Sequence, residues 1–209
     1  MAARSNTRSA NASDGTLLAS DAASSAAQRE RRQRILDATL GLASKGGYDA
    51  VQMRTVAEHA DVALGTLYRY FPSKTHLLVT ALGREFHQAH TKLRRTKIPG
   101  NTPSQRMLHV LAKTTRRMQR DPHLTEAMTR AFMFADATAA TEVDTVSKQI
   151  DALFAMAMAG EAEPTEEQLA IARVLSDVWL SVLVAWVTRR ASASDVTKRL
   201  ELTVNLLLR

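Results

Sequence analysis

Cysteine is absent from all 209 residues, which rules out a disulfide framework and any thiolate metal site. Nothing then requires an oxidising compartment, and a cytoplasmic protein is the expectation. No window reaches the roughly 18 consecutive apolar residues expected of a membrane span. The opening stretch MAARSNTRSANASDG lacks the apolar run of a secretory signal, so no membrane partner is expected. Also missing are a glycine-rich phosphate loop, a Gly-x-Ser-x-Gly elbow and a His-Glu-x-x-His pair. No catalytic set and no cofactor are expected, and the chain does not read as an enzyme. Of the six scattered histidines, His87 and His90 stand three apart but lack a third ligand at suitable spacing, so no metal site is expected. Period-2 alternation and Asn-Gly hairpins are missing as well, which excludes recognisable strands.

Charge of one sign is unevenly spread. Residues 1–97 hold 15 Lys and Arg against 8 Asp and Glu, a net +7, whereas residues 98–209 hold 13 against 13, a net 0. A cationic first half suits a polyanionic partner such as nucleic acid. The alternative is that Arg4, Arg8 and the run Arg29 to Arg34 are simply solvated.

The pattern that is present is helical throughout. Residues 1–27 are rich in Ala, Ser, Asn and Thr and read as a disordered tail. From Gln28, Ile35, Leu36, Thr39, Leu40, Leu42 and Ala43 recur at helical spacing up to the stop at Gly46-Gly47. Val51, Val56, Ala57 and Ala60 mark a short second helix, and residues 63–70 a third, ended by Pro72. Ser73 can cap a long helix to about Lys97. Further starts stand at Thr102-Pro-Ser-Gln105, Asp121-Pro122, Asp136, Thr165-Glu-Glu-Gln168 and Ser192-Ala-Ser-Asp195. The expectation is an all-α chain of about nine helices.

The stretch ALGTLYRYFPSK, residues 63–74, crowds three aromatic rings into four positions. At about 100° per residue, Ala63, Leu64, Leu67, Tyr70 and Phe71 fall inward, while Gly65, Thr66, Tyr68 and Arg69 fall outward or to the flanks. Two short helices joined by a tight turn, the second presenting hydroxyls and a guanidinium, form a helix-turn-helix suited to the DNA major groove. Arg69 can read guanine or hold phosphate, Thr66, Tyr68 and Tyr70 can donate to phosphate, and Gly65 admits close backbone approach. Lys74 and the free N–H groups that start the next helix offer a further phosphate site.

Residues 29–80 resemble the DNA-binding domain of the TetR family of bacterial transcriptional regulators. Ile35-Leu36-Ala38, Gly47-Tyr48, Thr55-Val56-Ala57, Gly65-Thr66-Leu67-Tyr68, Tyr70-Phe71 and Ser73-Lys74 stand in the family's order. Ala63, Asp61 and Thr75 depart from it, standing where Ser, Gly and Glu are common. The resemblance implies a helix-turn-helix domain at 28–76 and a ligand-binding and dimerisation domain at 77–209. It also implies a homodimer on a two-fold double-stranded DNA operator, released by a small-molecule effector. Its DNA-contacting set would be Arg54, Thr55, Leu64, Gly65, Thr66, Tyr68, Arg69, Tyr70 and Lys74. The whole chain is similar, more narrowly, to the KstR-type branch in actinobacteria, whose members control sterol and cholesterol breakdown and answer to a coenzyme A (CoA) thioester of a steroid intermediate. A TetR-type regulator of another hydrophobic effector, such as a fatty acyl-CoA or an exported drug, and a ligand carrier without DNA binding stand as alternatives.

In the second half, VWLSVLVAWV at 178–187 is apolar all round apart from Ser181. Such a helix is buried on every side, either in its own core or, with the amphipathic last helix, in a four-helix dimer seam. Six of the eight methionines lie between 107 and 158 beside Phe132, Phe134 and Phe154, which suits an adaptable apolar pocket as well as plain core filling. The expected pocket lining is Leu111, Thr115, Met118, Met128, Phe132, Trp179, Leu183 and Trp186. Arg116, Arg117 and Arg120 nearby can hold an anionic ligand group or form a solvated face.

Overall fold

The computed structural model describes the backbone of residues 10–208 and the side chains of residues 25–208. Among these residues there are nine α-helices, one 3-10 turn and no strand. The helices are α1 (Ala10–Ala50), α2 (Met53–His59), α3 (Leu64–Tyr70), α4 (Lys74–Arg94), α5 (Pro103–Arg120), α6 (Pro122–Met133), α7 (Ala140–Ala159), α8 (Glu166–Val187) and α9 (Ala193–Leu207).

The start signals work as hydrogen bonds. Ser73 accepts from the His76 N–H, and Asp121 accepts from Leu124 with Pro122 at the first helical position. Thr165 with Gln168 and Ser192 with Asp195 form reciprocal capping boxes. Two signals resolve differently. Gln105 turns its side-chain oxygen to the Asn101 N–H at 2.8 Å, so only the Thr102 half of that box forms. Asp136 caps the 3-10 turn Ala137–Ala139, and α7 begins one residue later.

The disordered tail expected through residue 27 is not what the backbone shows, because α1 extends back to Ala10. Alanine, the strongest helix former, recurs through this stretch and carries the helix of which Ile35 and Leu36 are the anchored part. Residues 1–9 of that tail lie outside the described residues. At its other end α1 is broken where the glycine pair stands: Gly46 has φ −151°, and Gly47 has φ 67°, the left-handed region.

The core is continuous. Ile35, Val56, Leu67 and Phe71 are buried at the front, Met107, Leu111, Phe154, Leu175 and Leu183 at the back, and Leu77, Leu78 and Phe86 of α4 run between. α1 packs on α6, α4 on α7, and α8 between α7 and α9. Contrary to the expectation from the sequence, one helix is long and apolar enough to cross a membrane. An 18-residue window within Glu166–Val187 has a mean hydropathy of 1.7, because Leu, Ile, Val and Ala outweigh the few charges. Within the single chain 28% of that window is buried, so the chain's own core does not by itself cover this helix. Val174 and, on α9, Leu202 and Leu206 remain exposed.

A methyl group at Gly47 would meet the Glu126 carboxylate at 2.7 Å on a left-handed backbone. Gly47→Ala is expected to cost about 1–3 kcal/mol and to lower the melting temperature by about 3–10 °C. Differential scanning calorimetry checks this, and an unchanged melting temperature refutes it.

Candidate nucleic-acid interface and ligand chamber

The turn between α2 and α3 is tight because Asp61 takes φ 52°, a conformation glycine adopts more readily. Leu67 and Phe71 are buried and seat α3 on the core, with the Arg32 guanidinium 5.7 Å from the Phe71 ring centre. Spaced three and four residues apart, Gly65, Tyr68 and Arg69 share one outward face. Tyr68 is 47% exposed, and Tyr70 is half-buried against the core. Thr66 is half-buried too. Arg54 is exposed and Thr55 half-buried at the start of α2. A side chain at Gly65 would meet nothing within 4 Å, so its bare backbone faces open space.

Helical spacing places Ala63 and Leu64 inward, and both are exposed. Ala63 is the cap residue, with extended φ −63° and ψ 141°, so the helical wheel does not apply to it. Leu64 is the first residue of α3 and is exposed.

Lys74 is not a free surface cation. Its Nζ lies 3.9 Å from the centre of the Tyr48 ring, whose other partner is the Arg130 guanidinium at 4.4 Å. Burial lowers the Lys74 pKa, and Arg130 adds to this while Asp49 and Glu126 oppose it. The same corner ties α6 to α1. Tyr48 N–H donates to Glu126 Oε2 at 2.9 Å, Ser44 Oγ donates to Asp121 Oδ2 at 2.5 Å, and Arg130 reaches Asp49 at 3.5 Å. Beside it, His76 bridges the Ser73 hydroxyl at 2.9 Å and the Thr138 carbonyl at 3.0 Å, fastening the start of α4 to the loop that follows α6.

The opposite face of α6 lines a chamber. A cleft of about 840 Å³ opens between α4, α5 and α6, its wall including Leu82, Phe86, Leu93, Met118, Leu124 and Met128. Its mouth carries Lys92, Lys113, Arg116, Arg117 and Arg120, against Glu85 and Asp121. Arg117 already pairs with Glu85. A second cleft of about 280 Å³ opens between α6, α7 and α8 and shares Leu82, Phe86, Met118 and Met128 with the first. Trp179 stands at this junction, edge-on to Phe86 at 5.9 Å and to Phe154 at 5.8 Å.

Five of the eight expected lining residues, Met118, Met128, Phe132, Trp179 and Leu183, do line these clefts. Three do not. Leu111 is sealed in the core. Thr115 stands behind the wall, where its hydroxyl accepts the Trp179 indole N–H at 3.1 Å. Trp186 lies at the far end of α8 beside Arg189, Arg190 and Asp195. The α4 contribution, Leu82, Phe86 and Leu93, is missing from the expected set. Its signal was the apolar spacing of α4, which continues well past the helix-turn-helix. His87 and His90 face a separate groove with Arg94, Arg95 and Lys148. Burial, and after it Arg94 and His87, lowers the His90 pKa.

Residues 35–81 match the bacterial regulatory proteins of the tetR family, and residues 100–207 match the tetracyclin repressor-like C-terminal domain. The chain is 65% identical over 208 residues to the HTH-type transcriptional repressor KstR of Rhodococcus jostii, covering 100% of this chain and 96% of that one. A TetR transcriptional regulator from Rhodococcus sp. RHA1 superposes with a TM-score of 0.78 at 34% identity, covering 87% of this chain and 96% of that one. The FadR repressor of Thermus thermophilus, solved in complex with lauroyl-CoA, has a similar fold, with a TM-score of 0.62 at 20% identity over 85% of this chain and 93% of that one.

Trp179→Phe keeps most of the ring packing but leaves the buried Thr115 hydroxyl without its donor. A loss of about 1 kcal/mol is expected, seen as a melting point about 2–4 °C lower. No change in thermal unfolding would show that this bond contributes nothing.

Proposed function

The chain belongs to the TetR family of bacterial transcriptional regulators, and we propose that it is a dimeric repressor whose two recognition helices grip a two-fold DNA operator and whose chamber takes a CoA thioester of a steroid intermediate, which releases the DNA. The genes under control would be those of sterol and lipid degradation, and the protein would work in the cytoplasm. It acts as a transcription factor and not as an enzyme.

The observation that carries this reading is the double role of α6. Leu124, Thr125, Met128 and Phe132 meet the chamber, while Asp121, Glu126 and Arg130 hold the corner from Ser44 to Asp49. A ligand that fills the chamber pushes on one side of this helix and moves the corner that positions Lys74 and, through the shared core, α3. A population shift of this kind needs a ligand that binds the displaced arrangement better.

Tyr68, Arg69, Gly65 and Arg54 are the surface offered to the groove, with Thr66, Thr55 and Tyr70 at its margin and Leu64 as an apolar contact. Lys74 would reach phosphate only by leaving the Tyr48 ring or by presenting one remaining N–H. For the partner subunit, Val174, Val178, Ser181 and Ala185 share one face of α8, and Val174 is exposed, as are Leu202 and Leu206 on the neighbouring α9. Two such surfaces can pair about a two-fold axis. The recognition helices would then lie about 34 Å apart, one turn of DNA.

For the effector, an apolar chamber with a cationic mouth suits a long apolar body with a phosphorylated head. The likeness in fold to a repressor solved with lauroyl-CoA supports thioester chemistry, and the full-length likeness to KstR supports a steroid body.

Arg69→Ala is expected to weaken operator binding about 10- to 100-fold without altering thermal unfolding, as read by fluorescence anisotropy at fixed salt. Equal affinity removes α3 from the interface. A steroid-derived acyl-CoA is expected to raise the melting temperature and release the operator. Stabilisation by fatty acyl-CoA alone would keep the regulator and replace the effector.

A further inference from the structure

The groove on the other side of α4 and α7 is separate from the chamber. It holds about 740 Å³ and shares no lining residue with either cleft. From α4 it takes His87, His90, Thr91 and Arg94, the last three standing three, four and seven residues beyond the first and so on one face, and Arg95 ends that helix. From α7 it takes Asp144, Thr145, Lys148 and Gln149. The two helices touch at its floor, where a methyl group at Gly83 would lie 3.4 Å from Val146 and 3.6 Å from Gln149 Oε1.

The groove is cationic, and its charge is not neutralised from within. Its one carboxylate, Asp144, already holds Lys148 at 2.6 Å, and neither Arg94 nor Arg95 enters an ion pair among the described residues. The crowding is felt at His90, whose pKa is lowered by burial and then by Arg94 and His87. An anion among these groups would relieve that repulsion. Acceptors stand beside the cations. Thr91 spends its proton on the His87 carbonyl at 2.9 Å and Thr145 on the Thr141 carbonyl at 2.8 Å, so toward a ligand both hydroxyls only accept. Gln149 Oε1 is buried and has no hydrogen-bond partner among the described residues, a state that costs about as much as a lost hydrogen bond. A merely solvated face would account for the two arginines but not for this oxygen.

We propose that this groove is a second ligand site, for a free nucleotide whose phosphates lie on Arg94, Arg95 and Lys148 and whose base N–H or ribose hydroxyl donates to Gln149. Thr91 and Thr145 add acceptors for the remaining hydroxyls. A simple inorganic anion would meet the cations and leave the Gln149 oxygen unpaired, whereas a nucleotide carries phosphate and donors on one small body and answers both. This is how a site built to accept a hydrogen bond prefers the ligand that supplies one. The assignment does not depend on the thioester reading, because the groove and the chamber have no residue in common.

The test uses the full chain and two probes, ADP and inorganic pyrophosphate. Calorimetric titration is expected to show saturable binding of ADP below about 1 mM, with pyrophosphate about ten-fold weaker. Arg94→Gln should weaken both probes about ten-fold, whereas Gln149→Leu should weaken ADP by about as much and leave pyrophosphate unchanged. Operator binding by both variants checks that they are folded. Pyrophosphate bound as tightly as ADP, or ADP indifferent to Gln149→Leu, overturns the nucleotide. No binding of ADP, or binding indifferent to Arg94→Gln, overturns the site. Loss of ADP binding on adding one equivalent of a steroid acyl-CoA overturns a second ligand, since the groove would then hold the head of the effector. None of these results bears on the repressor reading, which operator binding tests separately.

Discussion

The contact on which the rest of this molecule depends is the single bond from the Tyr48 backbone N–H to the Glu126 carboxylate. Gly46 and Gly47 break α1, and the left-handed turn at Gly47 brings the next N–H against α6 where a side chain would collide. Around it gather Arg130, Asp49, Lys74 and the Tyr48 ring, two cations over one aromatic. Charges at a partly exposed site like this contribute little individually to stability. Their consequence is geometric. They fix where α6 stands relative to α1 and α4, and so make the reading helix and the chamber wall parts of one arrangement.

Much of this was legible in the sequence, and for local reasons. Caps are short-range hydrogen bonds between residues three apart, so Ser73, Asp121, Thr165 and Ser192 announce helices wherever the chain goes afterwards. Leu67 and Phe71 against Tyr68 and Arg69 follow from 3.6-residue periodicity. The chamber was less legible because it is a long-range object. Thr115 and Trp186 are the right residue types at the wrong depth, one behind the wall and one beyond its end. Nothing in their neighbours could have said so. Families of related folds can be recognised from the helix-turn-helix alone, whereas a ligand preference is written in contacts between distant segments.

The charge asymmetry teaches a related lesson. The net +7 of residues 1–97 suggests a cationic reading head, but Lys92, Arg94, Arg95 and Lys97 belong to that count and lie at or beyond the far end of α4. Eighteen residues of helix separate Lys74 from Lys92, about 27 Å. Lys92 stands at the chamber mouth, and Arg94 and Arg95 at the outer groove. Part of the excess therefore lies away from the helix-turn-helix. Arg84 is likewise occupied, paired with Asp37 of α1 at 2.7 Å.

A division of the chain at residue 76 or 77 falls inside α4, and that placement has a mechanical meaning. α4 starts beside the recognition helix with His76 and Lys74, and its later turns, Leu82, Phe86 and Leu93, form chamber wall. A close-packed helix does not bend gradually, because its side chains interlock with their neighbours in discrete arrangements. α4 and α6 thus line the chamber from two sides and meet again at the Tyr48 corner, where Lys74 comes from one and Arg130 from the other. In the proposed mechanism, a bulky ligand that spread them at one end would alter their separation at the other. The Tyr48 ring, in contact with both cations, stands at that other end.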